Sequence, residues 1–300
     1  MFRRPNLVVL CLITVYLVWG STYLAIHVAL ASFPPFMLMG TRFLASGGAL
    51  LLFLKARGKA FPTLKQWRDA SIVGSLILGG GMGLTSYAQQ YISSGLTAVF
   101  VASSPFILSL CVGIYGEWPN RREWAGIIIG FSGAILLASG GDFSAKPIGI
   151  IALFAAICCW DIGSVLSQRQ FSMAPGAMGF ASQMLMGGVF LSVVSWLTGE
   201  HIIATITPNA WFAWGYLVVA GSLAAFSAYM YLIATVSPAL ASSYTYVNPI
   251  IAVTLGVLFA DEKMAMREIL SMVIILCSVV LISTARNHLK SKVHQQPADI

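Results

Sequence analysis

The sequence predicts an all-α polytopic membrane protein, with ten transmembrane helices arranged as two inverted five-helix repeats around a central cavity. Three observations predict it. Charged residues make up 9% of the 300 residues and hydrophobic ones 58%, with a mean hydropathy of +0.85; soluble domains carry about 25% charge. Uncharged apolar runs near the roughly 20 residues needed to span a bilayer as a helix recur along the chain. The two halves also resemble each other in residue order.

The runs place spans near 7–29, 35–54, 70–91, 95–116, 123–139, 148–168, 177–198, 210–233, 238–260 and 266–285. Arg3-Arg4, the first run and Ala29-Leu30-Ala31 imitate a signal peptide. The run is longer than a signal core, so a retained first span is expected. Pro34-Pro35 separates the first two spans, and the basic loop from Lys55 to Asp69 precedes the third. Thr63 and Gln66 in that loop have capping-box spacing, which starts a short helical lead-in. Asn120 and Glu123 form the cap expected for the fifth span. Gly126 and Gly130 in that span have G-x-x-x-G spacing, which supports close packing within the bundle or dimer contact.

Charge fixes the orientation. Of 17 Lys and Arg, Lys146, Lys263 and Arg267 fall on one side and Arg42 lies inside a span. The other thirteen share the side of the N-terminus, which predicts both termini in the cytoplasm. The net charge of +7 is therefore read as topology, and no nucleic-acid partner is expected. Cys11, Cys111, Cys158, Cys159 and Cys277 lie in apolar runs without metal-ligand spacing. No metal or cofactor is expected; the expected partners are a small-molecule substrate and membrane lipid, with the chain as monomer or homodimer.

The repeat divides the chain into 1–145, 146–288 and a polar tail, 289–300. Trp19 with Gly20-Ser21 matches Trp160 with Gly163-Ser164, Pro34 matches Pro175, and Gly47 matches Gly188. Tyr87, Ser93, Leu96 and Pro105 match Tyr231, Ser237, Leu240 and Pro249, and Glu117 matches Glu262. Five spans per half make the copies enter the membrane from opposite sides, the inverted arrangement of many secondary transporters.

The polar residues inside spans mark the candidate site. Tyr16, Trp19, Tyr23 and His27 share one helical face, flanked by Gly20 and Thr22. Such a stripe turns to protein or water, as a cavity wall or as a packing face with Gly20 at a close approach. His27 is read as an interface residue beside Phe33-Pro34-Pro35. Trp160, Ser164 and Ser167 repeat the stripe in the sixth span; the third offers Thr85, Ser86 and Gln89, and the eighth Ser222, Phe226 and Tyr229. Ser103-Ser104-Pro105 and Tyr244-Thr245-Tyr246-Val247-Asn248-Pro249 interrupt the fourth and ninth. Pro105 and Pro249 each remove an amide hydrogen and free the carbonyl four residues back. Matching breaks point to a binding region, and the alternative is a packed kink.

Arg42 lies about two turns into the second span. A charge at that depth costs about 2.5–3.5 kcal/mol on translocon scales. Its roles are a substrate carboxylate contact, a carbonyl contact, or snorkelling to the interface. Asp161 is the proton-coupling candidate, against a capped or solvated carboxylate at a cavity mouth. Glu117 and Glu262 sit at span ends and read as structural.

At this point the residues resemble a known family. "VWGSTYLAIH", "FPPFMLMGTRFLASGGALLLF" and "SSGLTAVFVASSPFILSLCVGIYGEWPNRREWAGIIIGFSGAILL" look like one EamA unit of the drug/metabolite transporter superfamily, and "SPALASSYTYVNPIIAVTLGVLFADEKM" resembles the end of a second. The resemblance covers residues 7 to 285. It implies two inverted five-helix repeats, a central cavity, a bacterial inner-membrane location and export of small metabolites, often amino acids or related compounds. Gln183 at the Arg42 position and Asp161 after Trp160 depart from the usual pattern. The substrate-cavity candidates are Trp19, Thr22, Tyr23, Arg42, Ser86, Gln89, Ser103, Trp160, Ser164, Phe226, Tyr229, Tyr246 and Asn248. The rival classes are a membrane enzyme and a channel. No H-E-x-x-H, P-loop or G-x-S-x-G supports the enzyme, so none is expected, and no filter segment or ring of like residues supports the channel.

Overall fold

In a computed structural model, residues 5–116, 118–138, 146–202, 205–236, 238–241, 243–260 and 266–293 are described. They are helical, with no strand among them. α1 (Pro5–Leu30) and α2 (Pro35–Ala56) are joined by the Pro34-Pro35 turn, with Pro35 at the first helical position, where its missing N–H costs nothing. α3 (Leu64–Gly74) starts on the expected capping box: Thr63 Oγ1 accepts from Gln66 N, and the Gln66 side chain accepts from Thr63 N at 2.9 Å. It runs straight into a π-helical segment, Ser75–Gly83, and then α4 (Leu84–Ala88). α5 (Ser94–Val101) and α6 (Ser104–Gly113) make up the next rod. α7 (Arg121–Ala138) opens on the Asn120 cap: Asn120 Oδ1 accepts from Glu123 N at 3.0 Å, and Glu123 Oε2 accepts from Asn120 N at 2.7 Å.

The second half repeats this order. α8 (Pro147–Arg169) and α9 (Ala177–Leu197) are followed by α10 (Pro208–Tyr216), a second π-helical segment (Leu217–Ala224) and α11 (Ala225–Thr235). α12 (Pro238–Ala241), α13 (Tyr244–Phe259) and α14 (Met266–Val293) follow as the last of the described helices. Gly176 enters α9 at φ +60°, the left-handed region that glycine occupies without a Cβ penalty. Seven rods among the described residues are long and apolar enough to cross a membrane: Asn6–Leu30, Pro35–Ala56, Leu64–Ala88, Ser94–Gly113, Pro147–Arg169, Ala177–Leu197 and Pro208–Ile233. Tyr244–Phe259 and Ile269–Ser278 are shorter apolar helices.

Two expectations change in detail. The polar tail expected at 289–300 begins as helix, because α14 continues to Val293. The proline breaks are not equivalent. The chain turns at Ala102–Ser103 and Pro105 then sits in the first turn of α6, whereas Pro249 lies buried inside an unbroken α13. The break before α13 comes instead near Ser243, six residues ahead of Pro249. Glu117 and Glu262 lie outside the described residues.

The packing pairs corresponding helices of the two halves. α2 lies against α9, α7 against α14, and α5 against α13. α1 packs on α11 and α13, while α8 packs on α4, α6 and the first π segment. Backbone approaches backbone at the glycines of the α2–α9 contact, with Ser192, Met184 and Leu44 side chains beside them. A Cβ on Gly40 would meet Ser192 N at 3.1 Å and Gly188 O at 3.4 Å; one on Gly47 would meet Leu185 N at 2.7 Å and Ala181 O at 3.1 Å. Residue numbers rise along α2 as they fall along α9, so the pair is antiparallel. Small residues permit this approach, as they do between membrane helices. A cluster of Ile26, Leu38, Met39, Val73, Met184 and Leu217 fills the space around it. A second cluster, including Ala88, Ile92, Leu153, Ile157 and Val253, fills the end where α4 finishes and α8 begins.

Candidate substrate cavity

Between these clusters lies a cavity of about 900 Å³, lined from α1, α2, α8, α9, α11, α13, both π segments and the α5–α6 break. It reaches the exposed Gln168 and Gly176, at the end where α8 finishes.

The π segments shape its walls. A π turn widens the helix and often marks a functional site. In the second segment Ser222 Oγ donates to Leu217 O, five residues back, at 3.0 Å. That places the hydroxyl to accept from Arg42 Nε at 2.9 Å. Trp19 donates Nε1–H to Gly221 O at 3.1 Å in the same segment. In the first segment Gly81 lies under Trp160: a Cβ there would meet Trp160 Cε3 at 3.0 Å. Each tryptophan therefore sits on the π segment of the other half. In the sequence the only trace of the first segment is the run Gly79-Gly80-Gly81.

An aromatic wall surrounds Trp19. Its ring centroid is 5.2 Å from Tyr229 and 4.9 Å from Tyr244, which are 5.5 Å apart, all in tilted or edge-on contact. Tyr23 and Tyr246 line the same space, as does Phe226, stacked on Phe180. Thr22 lines it too, with its hydroxyl returned to Trp19 O at 2.6 Å. Ser164 bonds Trp160 O at 2.7 Å. Asn248 lines the wall and ties α1 to α13: its amide nitrogen donates to Tyr16 O and Tyr244 O at 3.2 Å each. Tyr16 itself bonds Ser243 Oγ at 2.5 Å, and His27 is exposed away from the cavity.

Three expected wall residues lie elsewhere. Ser103 bonds Phe100 O at 2.6 Å inside the helix break, and its neighbour Ser104 takes the wall position. Ser86 and Gln89 are buried off the cavity, with relative exposures of 0% and 3%, whereas Thr85 lines it. Helical rotation explains this: one position carries a side chain about 100° round the axis. Ser104, Ser222, Thr85, Phe180 and Tyr244 also line the wall. Phe180 had no sequence signal, since a phenylalanine in an apolar run is unremarkable there.

Two charges face the space. Arg42 is 4% exposed; beyond Ser222, Nη1 approaches Met39 Sδ at 3.7 Å and the guanidinium lies 5.0 Å from the Phe43 ring. Asp161 is 1% exposed, and Oδ1 accepts from Ser104 Oγ at 2.6 Å. The one ion pair among the described residues is Arg68–Asp69, at 2.8 Å. The cavity thus presents a guanidinium and a carboxylate that are not paired with each other. Among the described residues no group of three His, Cys, Asp or Glu is placed to hold a metal.

Comparison with known proteins bears on this arrangement. The EamA-like transporter family model matches twice, over residues 6–139 and 147–284. The chain belongs to the EamA-like transporter family. It is 41% identical to the inner membrane transporter YedA of Escherichia coli (strain K12), over 92% of this chain and 90% of that one. It is 30% identical to the transporter YoaV of Bacillus subtilis, over 63% of this chain and 67% of that one. A WAT1-related chloroplastic protein of Arabidopsis thaliana is 22% identical over 91% of this chain and 68% of its own length. A solved crystal structure superposes with a TM-score of 0.65, covering 93% of this chain and 98% of that one at 20% identity, a likeness of fold. As an EamA family member with seven apolar membrane-length rods, the protein is a multi-pass integral membrane transporter.

Proposed function

We propose that this transporter exports a small organic metabolite, an amino acid or related compound, across the bacterial inner membrane by alternating access between two inverted five-helix repeats. The observation that carries it is the cavity itself, walled by both halves and bearing Arg42 and Asp161 unpaired among aromatic rings. The double family match and the antiparallel α2–α9 crossing support the inverted repeat. The relatives named as inner membrane transporters support the location.

In this reading Arg42 takes a carboxylate, as a guanidinium does. Trp19, Tyr23, Trp160, Tyr229 and Tyr246 take the organic body. With both termini in the cytoplasm, the end where α8 finishes is the cytoplasmic one, and the cavity stands open inward. Asp161 carries the coupling proton. Coupling requires the solute and proton to bind the two access states unequally.

The test is purified protein in liposomes, with the solute taken from metabolite profiling of cells with and without the chain. Vectorial flux that is lost in the Trp19→Ala/Trp160→Ala pair supports the reading. Flux unchanged in that pair would remove the cavity from it, and turnover of the solute without movement would favour an enzyme.

A further inference from the structure

Among the described residues, the buried side-chain polar atoms with no protein partner are Ser86 Oγ, Gln89 Oε1, Gln89 Nε2 and Asp161 Oδ2. All four lie on α4, the turn that ends it, or α8, and these two helices pack together. Leaving a buried donor or acceptor unpaired costs about 1–3 kcal/mol, and internal water is the usual remedy where protein groups do not reach.

Their heights along the two packed rods are ordered. Gly81 meets Trp160, next to Asp161, and Gly149 near the start of α8 meets Tyr91 and Ile92. Ser86 and Gln89 lie between those two levels on the facing rod. At 1.5 Å per residue, the distance along α8 from Asp161 to Gly149 is roughly 18 Å. Ser86 and Gln89 are three apart and share a side of their helix. Gln90, the next residue, is exposed. Thr85, one before, is at the cavity wall.

We propose that Ser86 and Gln89 hold a file of internal water that carries protons between Asp161 and the closed end of the bundle, where α4 finishes and α8 begins. The cavity opens at the opposite end of α8, so Asp161 would exchange protons with one side through the cavity and with the other through the file, one route in each access state. A proton arriving along the file goes to Asp161 Oδ2, and the carboxyl returns it to water in the cavity. A neutral amide suits this role: it donates two hydrogen bonds and accepts at its oxygen, and it neither takes up nor releases a proton near neutral pH. The titratable groups facing Asp161 are Cys111 on α6 and Cys158 on its own helix. On the facing rod, Ser75–Gly83 contains none and α4 contributes Tyr87; α5 contains none.

The inference rests on the reading of Asp161 as the coupling carboxylate, and its test needs no solute. The full chain is reconstituted in liposomes loaded with a pH-sensitive dye, and the outside is acidified. The expected result is proton entry faster than in empty liposomes, reduced to the empty-liposome rate in Asp161→Asn and in Gln89→Leu, and retained in Gln89→Asn. Thermal melting is followed in parallel. A hydrated glutamine replaced by leucine leaves the melting temperature unchanged or lower, whereas a dry, unpaired one raises it. Wild-type entry no faster than empty liposomes, Gln89→Leu entry equal to wild type, or a raised melting temperature in Gln89→Leu would each overturn the proposal. Solute flux that survives any of these outcomes leaves the transport reading standing.

Discussion

The Trp19 indole N–H reaches the Gly221 carbonyl at 3.1 Å, so the first helix of one half is fastened to the π-helical segment of the other. Trp19→Phe keeps a ring among Tyr229 and Tyr244 but removes the donor. The expected cost is about 0.5–1.5 kcal/mol if water replaces it, and about 1–3 kcal/mol if the carbonyl is left dry. Thermal unfolding in detergent reads this. Trp19→Ala also empties the aromatic wall and should cost more, about 3–5 kcal/mol.

A second prediction concerns the α2–α9 crossing. A Cβ on Gly188 would meet Leu44 N at 2.7 Å and Gly40 O at 3.1 Å, both backbone atoms. Neither can rotate aside. Gly188→Val should force the helices apart and cost about 1–3 kcal/mol or more. Gly48→Ala, on the partner helix α2 with nothing within 4 Å of its new methyl, should melt no lower than the wild type. Equal melting of the two variants would show that the crossing is looser than described.

Glu200 gives the third. Its two carboxylate oxygens accept from Phe36 N at 3.1 Å and Met37 N at 2.8 Å, closing two open amides in the first turn of α2 from the loop after α9. Glu200→Ala opens both and places no negative charge by the positive end of that helix. A loss of about 0.5–2 kcal/mol is expected, as for other helix-start caps. Hydrogen exchange at Phe36 and Met37 should accelerate together.

The fourth separates the two cavity charges. Arg42→Met removes the guanidinium and leaves Ser222 bonded to Leu217 O; solute affinity should fall while a pH gradient still drives what flux remains. Asp161→Asn keeps an acceptor for Ser104. Solute should still bind, and an imposed pH gradient should no longer accelerate its movement. Identical behaviour of the two variants in liposomes would show that the charges act on the same partner.

The helices and their caps were legible because hydropathy, proline and capping residues act locally. Thr63 with Gln66 and Asn120 with Glu123 form the bonds their spacing implies. The stripe of Trp19 and Tyr23 also reached the cavity, since one helical face keeps its phase within an unbroken helix. Phase was lost where the helix changes form. Thr85, Ser86 and Gln89 read as one polar group, and without a known face ahead of them in the π segment Ser75–Gly83 nothing tells which of them turns to the cavity. The break at Ala102–Ser103 likewise exchanged Ser103 for Ser104. The pairing of Arg42 with Ser222 spans 180 residues and depends on a π turn that composition does not announce.

The close meeting of α2 and α9 has a mechanical consequence. Ordinary helix pairs interlock knobs in holes, and twisting one against the other means lifting those knobs clear. Gly40 and Gly188 offer none where they touch. Beside them Ser192, Met184 and Leu44 still supply side-chain contacts, so the crossing resists separation and twisting alike, and α2 and α9 are expected to travel as one piece.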